Sequence, residues 1–513
     1  MGFPDSSTVK QSMISNKSEH AEVQSSASQA APLPHDNKKS TNWALLKNGA
    51  VLAVGRNINS MLRLVIAAII ARAFGANTFA EYSLLLATMM IAEWLLDFGT
   101  TDVFVREVSK HKHEFTHKLS TLFMLKGFQI PLSIALMITI VSLLNPSSNL
   151  MLGGICASLG LVFYAFVSVY RAVFKARMTL EKEMLAEFIS IILMIPLIVL
   201  SFYVNAGIIG IALSLVLSRL IFLLCCIWLS TIEYLTIGSA SVADAKQLWR
   251  ASYLIGFIGL LSVVNNAAEI LILSKLSTLQ DVAIFSAAQK LVWPMFMILT
   301  AVGAVFYPVL ASHWNNNRGQ FTISAQNAFN IIALLGFLSF SGIYPGAEFM
   351  MGLISPELVT ATDALHILLA MCLIKSFSAA MGPLLFIVGA EKAAFGYFVA
   401  SVLIKVFFVS IFAEEYGYVG CALVSLAVEA FVVFPCTLGF LRAKAKLNIN
   451  FLPTIFLAIS CLAVILLFKY FIHLPSALEL VLSPILLLGI AIITKQTSPT
   501  TILTIIRVRK DVS

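Results

Sequence analysis

From about residue 48 to residue 494 this chain is cut into apolar runs of roughly twenty residues each. That spacing leaves it one class of fold. A helix rises about 1.5 Å per residue, so twenty residues cross the roughly 30 Å hydrocarbon core of a bilayer. Composition agrees: 59% of the 513 residues are hydrophobic and only 12% are charged, about half the charged share of a soluble protein. Mean hydropathy is +0.92. The chain reads as an all-α polytopic membrane protein.

Division at polar and turn-forming residues predicts about fourteen helices, near 48–75, 79–104, 118–144, 150–174, 184–204, 207–229, 250–275, 282–311, 325–345, 361–388, 392–413, 418–441, 452–472 and 477–494. The breaks include Asn145-Pro146, Asn205-Ala206-Gly207, Tyr416-Gly417 and His473-Leu474-Pro475. An even count puts both termini on one side. That side collects Arg106, Lys110, Lys112, Lys118, Lys175, Arg177, Lys182, Lys246, Arg250, Arg318, Lys392, Arg442 and Lys444. Only Arg72, Lys275 and Lys469 lie near the opposite helix ends. Basic loops stay cytoplasmic, so the chain is expected in the cytoplasmic (inner) membrane with both termini on the cytoplasmic side. The same bias accounts for the net charge of +8, and no nucleic-acid partner is expected.

A repeat is visible at a constant offset of 203 residues. Arg72 and Phe79-Ala80-Glu81-Tyr82-Ser83 align with Lys275 and Val282-Ala283-Ile284-Phe285-Ser286. The same shift sets Arg63 against Asn266. Chance could match so few residues; the helix count and the paired polar stripes favour a true repeat. The predicted organisation is a disordered cytoplasmic tail (1–42), an N-terminal lobe of six helices (43–230) and a cytoplasmic linker (231–249). A second, pseudo-symmetric six-helix lobe (250–445), two C-terminal helices (446–496) and a basic cytoplasmic tail (497–513) complete the chain.

The first run carries charge where lipid disfavours it. Arg56, Asn59 and Arg63 fall at i, i+3 and i+7, on one helical face. A charge at mid-bilayer costs about 3 kcal/mol on insertion scales, so such a stripe must face a bundle interior or a wet cavity. Guanidinium binds phosphate bidentately and stays charged. The stripe reads as a buried anion site, or as a pair neutralised by carboxylates such as Glu93 or Asp97. Arg72, near a helix end, either joins it or snorkels.

Other polar residues fall at helical spacing. Glu93 and Asp97, followed by Thr100 and Thr101, and Glu269 on the seventh run are candidates for coupling or gating through Na⁺ or a shared proton, the first two also for partnering the arginines. Asp102 and Arg106 suggest a helix-end ion pair. Ser262, Asn265, Asn266 and Glu269 form a stripe on the seventh run; Gln289 and Lys290 precede Trp293 on the eighth. Amides and an indole suit sugar hydroxyls, and equally suit interhelical hydrogen bonds. Lys126 with Gln129, Lys375, Lys405 and Glu429 are further candidates, with Lys405 either snorkelling or paired to Glu429. The seven cysteines sit in apolar runs without ligand spacing and read as packing residues. His111, His113 and His117 read as loop histidines. No Walker motif and no catalytic constellation occurs, so no enzyme, cofactor or metal is expected beyond a coupling Na⁺ or H⁺.

Two segments carry a family resemblance: Ala71-Arg72-Ala73-Phe74-Gly75 through Ala87, and Leu96-Asp97-Phe98-Gly99 through Arg106-Glu107. They are similar to the opening of bacterial polysaccharide exporters and O-antigen flippases, within the multidrug/oligosaccharidyl-lipid/polysaccharide exporter superfamily. Ala80 departs from the pattern, standing where a glycine is usual in the turn. The resemblance implies two lobes around a cationic cavity lined by helices 1, 2, 7 and 8, and a groove for a lipid tail at helices 13 and 14. It implies transport of a polyprenyl-pyrophosphate-linked oligosaccharide from the inner to the outer leaflet for O-antigen, capsule or exopolysaccharide assembly. Membrane lipid, and a polysaccharide polymerase or glycosyltransferase complex, are the implied partners. A cation-coupled multidrug antiporter and a peptidoglycan-precursor flippase are the rival readings.

Overall fold

In a computed structural model of the protein, residues 36–110, 114–144, 146–230, 240–471 and 474–494 are described, with side chains from residue 54 onward. Among them, twelve continuous helices are long and apolar enough to cross a membrane. Two of these run 56 and 55 residues, twice the length one crossing needs. Each changes direction at a glycine in a left-handed conformation: Gly75 (φ 84°) and Gly417 (φ 54°). A side chain at either position would be strained. The two glycines therefore separate fourteen crossings.

In chain order these are α1 (36–74), α2 (76–97), α3 (Phe115–Leu143), α4 (Ser148–Ala176), α5 (Leu180–Tyr203), α6 (Gly207–Leu229) and α7 (Val242–Leu276). The rest are α8 (Leu279–Asn316), α9 (Arg318–Ile343), α10 (Thr362–Ile387), α11 (391–416), α12 (418–445), α13 (Leu452–Tyr470) and α14 (Ser476–Ile493). A short helix, Thr100–Lys110, continues beyond α2, and another, Ala347–Ile354, sits between α9 and α10.

Starts obey ordinary capping chemistry. Ser147, Ser241, Thr278 and Asn317 each accept a backbone N–H of the first turn of α4, α7, α8 and α9. Capping at Ser241 starts α7 inside the stretch predicted as linker. The helical chain likewise begins at Asp36, within the predicted tail. The first turn falls at Gly75, and Ala80 is fully buried inside α2. Residues 1–35, 231–239 and 495–513, with His111, Lys112, His113, Asn145, Ile472 and His473, lie outside the described residues.

Helices α1–α6 pack among themselves, as do α7–α12, while α13 and α14 lie against α9. The α1–α2 pair contacts α7 and α8, so the lobes meet on the repeat partners. The 203-residue offset carries the turn at Gly75 onto the turn at Thr278. Small side chains permit the close contacts: Ala67, Ala71, Ala80, Ala283, Ala287 and Ala288 are all buried. The bundle has a turn end, which holds Gly75, and a basic end, which holds Arg106, Lys118, Lys175 and Arg177.

Candidate functional site

Helix α1 has three distinct faces. Val54, Ile58, Met61 and Val65 are exposed and apolar, which suits lipid. Asn59, Ile66 and Ile70 are buried against neighbouring helices. Arg56 and Arg63 lie roughly 180° round the helix from the apolar stripe, yet both are exposed. An exposed face opposite the lipid face opens toward the bundle interior. Arg56 has no acidic partner among the described residues. Arg63 bonds Glu187 of α5 and keeps 56% of its side chain open.

Glu187 belongs to a charged belt inside the first lobe. Arg171 donates to Glu183 at 2.7 Å and to the Tyr164 hydroxyl at 3.2 Å. Arg219 bonds Glu93 and lies over the Tyr164 ring at 4.6 Å. Three arginines thus meet three glutamates around one tyrosine. Arg171, Glu183, Glu187 and Arg219 were not predicted as site residues. Arg219 could have been: it interrupts the sixth apolar run as Arg56 interrupts the first.

Glu93 and Asp97 are held by different cations, Arg219 and Lys126. Asp97 accepts from Thr101 and faces Lys126 at 3.5 Å. Lys126 is fully buried and also donates to the Leu96 carbonyl at 2.5 Å and Thr100 Oγ1 at 3.0 Å. Gln129 donates to the Leu95 carbonyl at 3.0 Å. These groups satisfy the last carbonyls of α2, where the chain turns through Phe98 (φ 39°) and Gly99 (φ 73°). Lys126 is therefore a helix cap and presents nothing to open space. Asp102 pairs with Lys175, at 2.5 Å, and not with Arg106, which reaches Glu107 at 3.6 Å.

In the second lobe Glu269 is buried between Lys405, at 2.6 Å, and the Ser425 hydroxyl, at 2.5 Å. Lys405 thus pairs with Glu269 and not with Glu429. It also donates to the Asn265 carbonyl at 2.7 Å. Asn266 donates to the Ser262 carbonyl at 2.8 Å and faces Lys375 at 3.4 Å. A cavity of about 210 Å³ is lined by Asn265, Lys375, Tyr397, Lys405 and Glu429, among others. Gln289 and Lys290 are half-buried. Lys290 donates to Ser83 at 3.0 Å across the lobe boundary and faces the rings of Phe79 and Tyr82. It has no acidic partner among the described residues.

A family model described as "Polysaccharide biosynthesis protein" matches residues 45–314. The chain belongs to that family. The match takes in the first lobe from residue 45, α7 and nearly all of α8, hence the arginine stripe, the charged belt and the contact of α1 and α2 with α7 and α8. No curated protein sequence matches the chain. Its fold is similar to that of solved transporters of the MOP superfamily. A lipid II flippase MurJ in an inward closed conformation superposes with TM-score 0.71 at 14% identity, over 86% of this chain and 98% of that one. An inward-facing multidrug resistance MATE family transporter gives 0.62 at 15%, over 76% and 96%. A MOP superfamily transporter from Pyrococcus furiosus gives 0.58 at 14%, over 79% and 96%. At such identities the likeness is one of fold.

Both ends of this polysaccharide biosynthesis family protein are closed where its lobes meet. At the turn end Arg72 donates to the Gly352 carbonyl at 2.6 Å and Lys275 to the Leu143 carbonyl at 2.9 Å. At the basic end Trp94 Nε1 donates to the Gly256 carbonyl at 2.8 Å. Phe98 packs between Trp249 and Gly256, and His117 meets Asp244 at 3.1 Å. These polar and aromatic contacts supplement the apolar packing of α1 and α2 on α7 and α8.

Proposed function

We propose that this protein is a flippase that carries an undecaprenyl-pyrophosphate-linked oligosaccharide from the inner to the outer leaflet of the cytoplasmic membrane. The observation that carries this reading is the Arg56–Arg63 stripe, open on the face of α1 opposite lipid. Glu187, Glu183 and Glu93 are each held by an arginine, while Arg56 and Lys290 have no acidic partner among the described residues. Such an interior favours a pyrophosphate over a cationic drug. Half-buried amides at Asn265, Asn266 and Gln289 suit sugar hydroxyls, and the exposed apolar faces of α13 and α14 suit a polyprenyl tail. The basic end is cytoplasmic by loop charge, and the two closures part alternately as the lobes rock. The work is binding and reorientation, with no bond made or broken.

The test is the leaflet location of the lipid-linked oligosaccharide in a deletion strain. It should accumulate in the cytoplasmic leaflet while surface polysaccharide is depleted and drug tolerance stays unchanged. Normal appearance of the intermediate outside, with collapse of tolerance to cationic dyes, would transfer the assignment to a drug antiporter.

A further inference from the structure

One turn of α12 departs from α-helical geometry, and that turn carries a carboxylate. Glu429–Val433 is π-helical, closed by the Phe434 N–H donating to the Glu429 carbonyl five residues back. Pro435 causes the departure, because it has no N–H to return to residue 431. Glu429 lines the cavity in the second lobe and is only 8% exposed. Its Oε1 is buried there without a hydrogen-bond partner. Glu93, Asp97, Glu183, Glu187 and Glu269 are all in ion pairs; Glu429 is in none of those found among the described residues.

An ionised carboxylate with an unmade bond in a low-dielectric space is costly. The groups around it are Lys375, Cys372 and Ser378, whose side chain hydrogen-bonds the carboxylate, on α10, Tyr397 and Lys405 on α11, and Glu269 on α7 behind Lys405. Lys375 and Lys405 line the same space, so an added metal ion would meet two ammonium groups and would need several oxygen ligands. A proton needs one oxygen. We propose that Glu429 is a proton-binding site of the second lobe, loading and releasing one proton at its cavity-facing carboxylate. The proton comes from water and returns to water, and no other bond changes. Loading turns the carboxylate from an acceptor into a donor beside a helix turn that already departs from regular geometry, which couples proton occupancy to the path of α12. That role rests on the transporter reading; the binding itself does not.

Infrared difference spectroscopy on the full chain in phosphatidylethanolamine–phosphatidylglycerol vesicles tests it without any substrate. A pH step should produce the C=O stretch of a protonated carboxyl in the parent protein, and this band should be lost in E429Q. A band of unchanged size in E429Q overturns the proposal. E429D, which keeps the carboxylate, should show the band at a displaced frequency; a spectrum identical to the parent's overturns the proposal even where E429Q does not fold. Sodium added at constant pH should leave the band in place. Its loss on sodium addition would assign the site to a metal ion and overturn the proton reading. The leaflet assay decides the flippase reading separately, so the two can fail independently.

Discussion

Phe98, in the turn that ends α2, stacks on Trp249 of α7 with ring centroids 4.2 Å apart and planes 9° from parallel. The contact joins the two lobes at the basic end. Phe98 itself is left-handed (φ 39°), which costs a non-glycine residue about 1 kcal/mol. Gly256 makes the fit possible, since a Cβ there would lie 2.8 Å from the Phe98 ring. Closure at this end therefore depends on one strained residue and one missing side chain.

Gly256→Val should weaken that closure while leaving each lobe folded. Phe98→Ala should act in the same direction, removing an aromatic pair worth about 1 kcal/mol, or roughly a fivefold change in the closed-to-open ratio. Spin labels at Ser109 and Lys246, one on each lobe, report the change. The distance distribution should gain a longer component, and an unaltered distribution in both variants rules out a latch.

Arg56→Ala and Arg63→Ala should both reduce flipping by about tenfold or more, since each removes a charge-assisted contact worth about 1.5–3 kcal/mol. They should differ in stability. Arg56 leaves no partner behind. Arg63→Ala strands Glu187 and should cost about 1–2 kcal/mol, below the full value for a buried pair because Arg63 is more than half open. Adding Glu187→Gln should restore stability but not transport. Parental flipping rates in both alanine variants, at normal expression, would place the anion site elsewhere.

Lys126→Met should lower the thermal unfolding temperature, because Asp97 and the end of α2 lose their donor, a loss of about 1–2 kcal/mol given that Asp97 is 37% open. Lys290→Met should lose transport with a smaller effect on unfolding, having only Ser83 and two rings as partners. Thermal unfolding in detergent beside leaflet assays separates the two lysines. Equal destabilisation by both would contradict the distinction drawn between cap and cavity.

Membrane orientation is open to cysteine labelling in intact cells. Single cysteines at Ser147 and Glu357, at the turn end, should react with an impermeant maleimide. A cysteine at Lys444, at the basic end, should react only after lysis. Labelling of the Lys444 position from outside would invert the topology.

Helix number and most of the breaks between helices were legible in the sequence, because each depends on local chemistry, while the starts of α7 and α9 fall seven or eight residues before the apolar run. Twenty apolar residues must cross; Ser147, Thr278 and Asn317 cap the helices that begin beside them; Gly417 allows a turn. The 203-residue offset survives in the turns at Gly75 and Thr278. Periodicity also placed Arg56 and Arg63 on one face.

What the sequence could not determine is which charge meets which. Arg63 finds Glu187 across 124 residues, and Arg219 finds Glu93 across 126. A helical period names the face a residue occupies, but the neighbour on that face depends on how six helices pack. For the same reason Lys126 read as a cavity cation until α3 was seen against the end of α2. Glu429 read as a partner for Lys405 until Glu269 took that place. In lipid every buried charge must find a partner, and only the tertiary arrangement decides which are satisfied internally and which remain for a ligand.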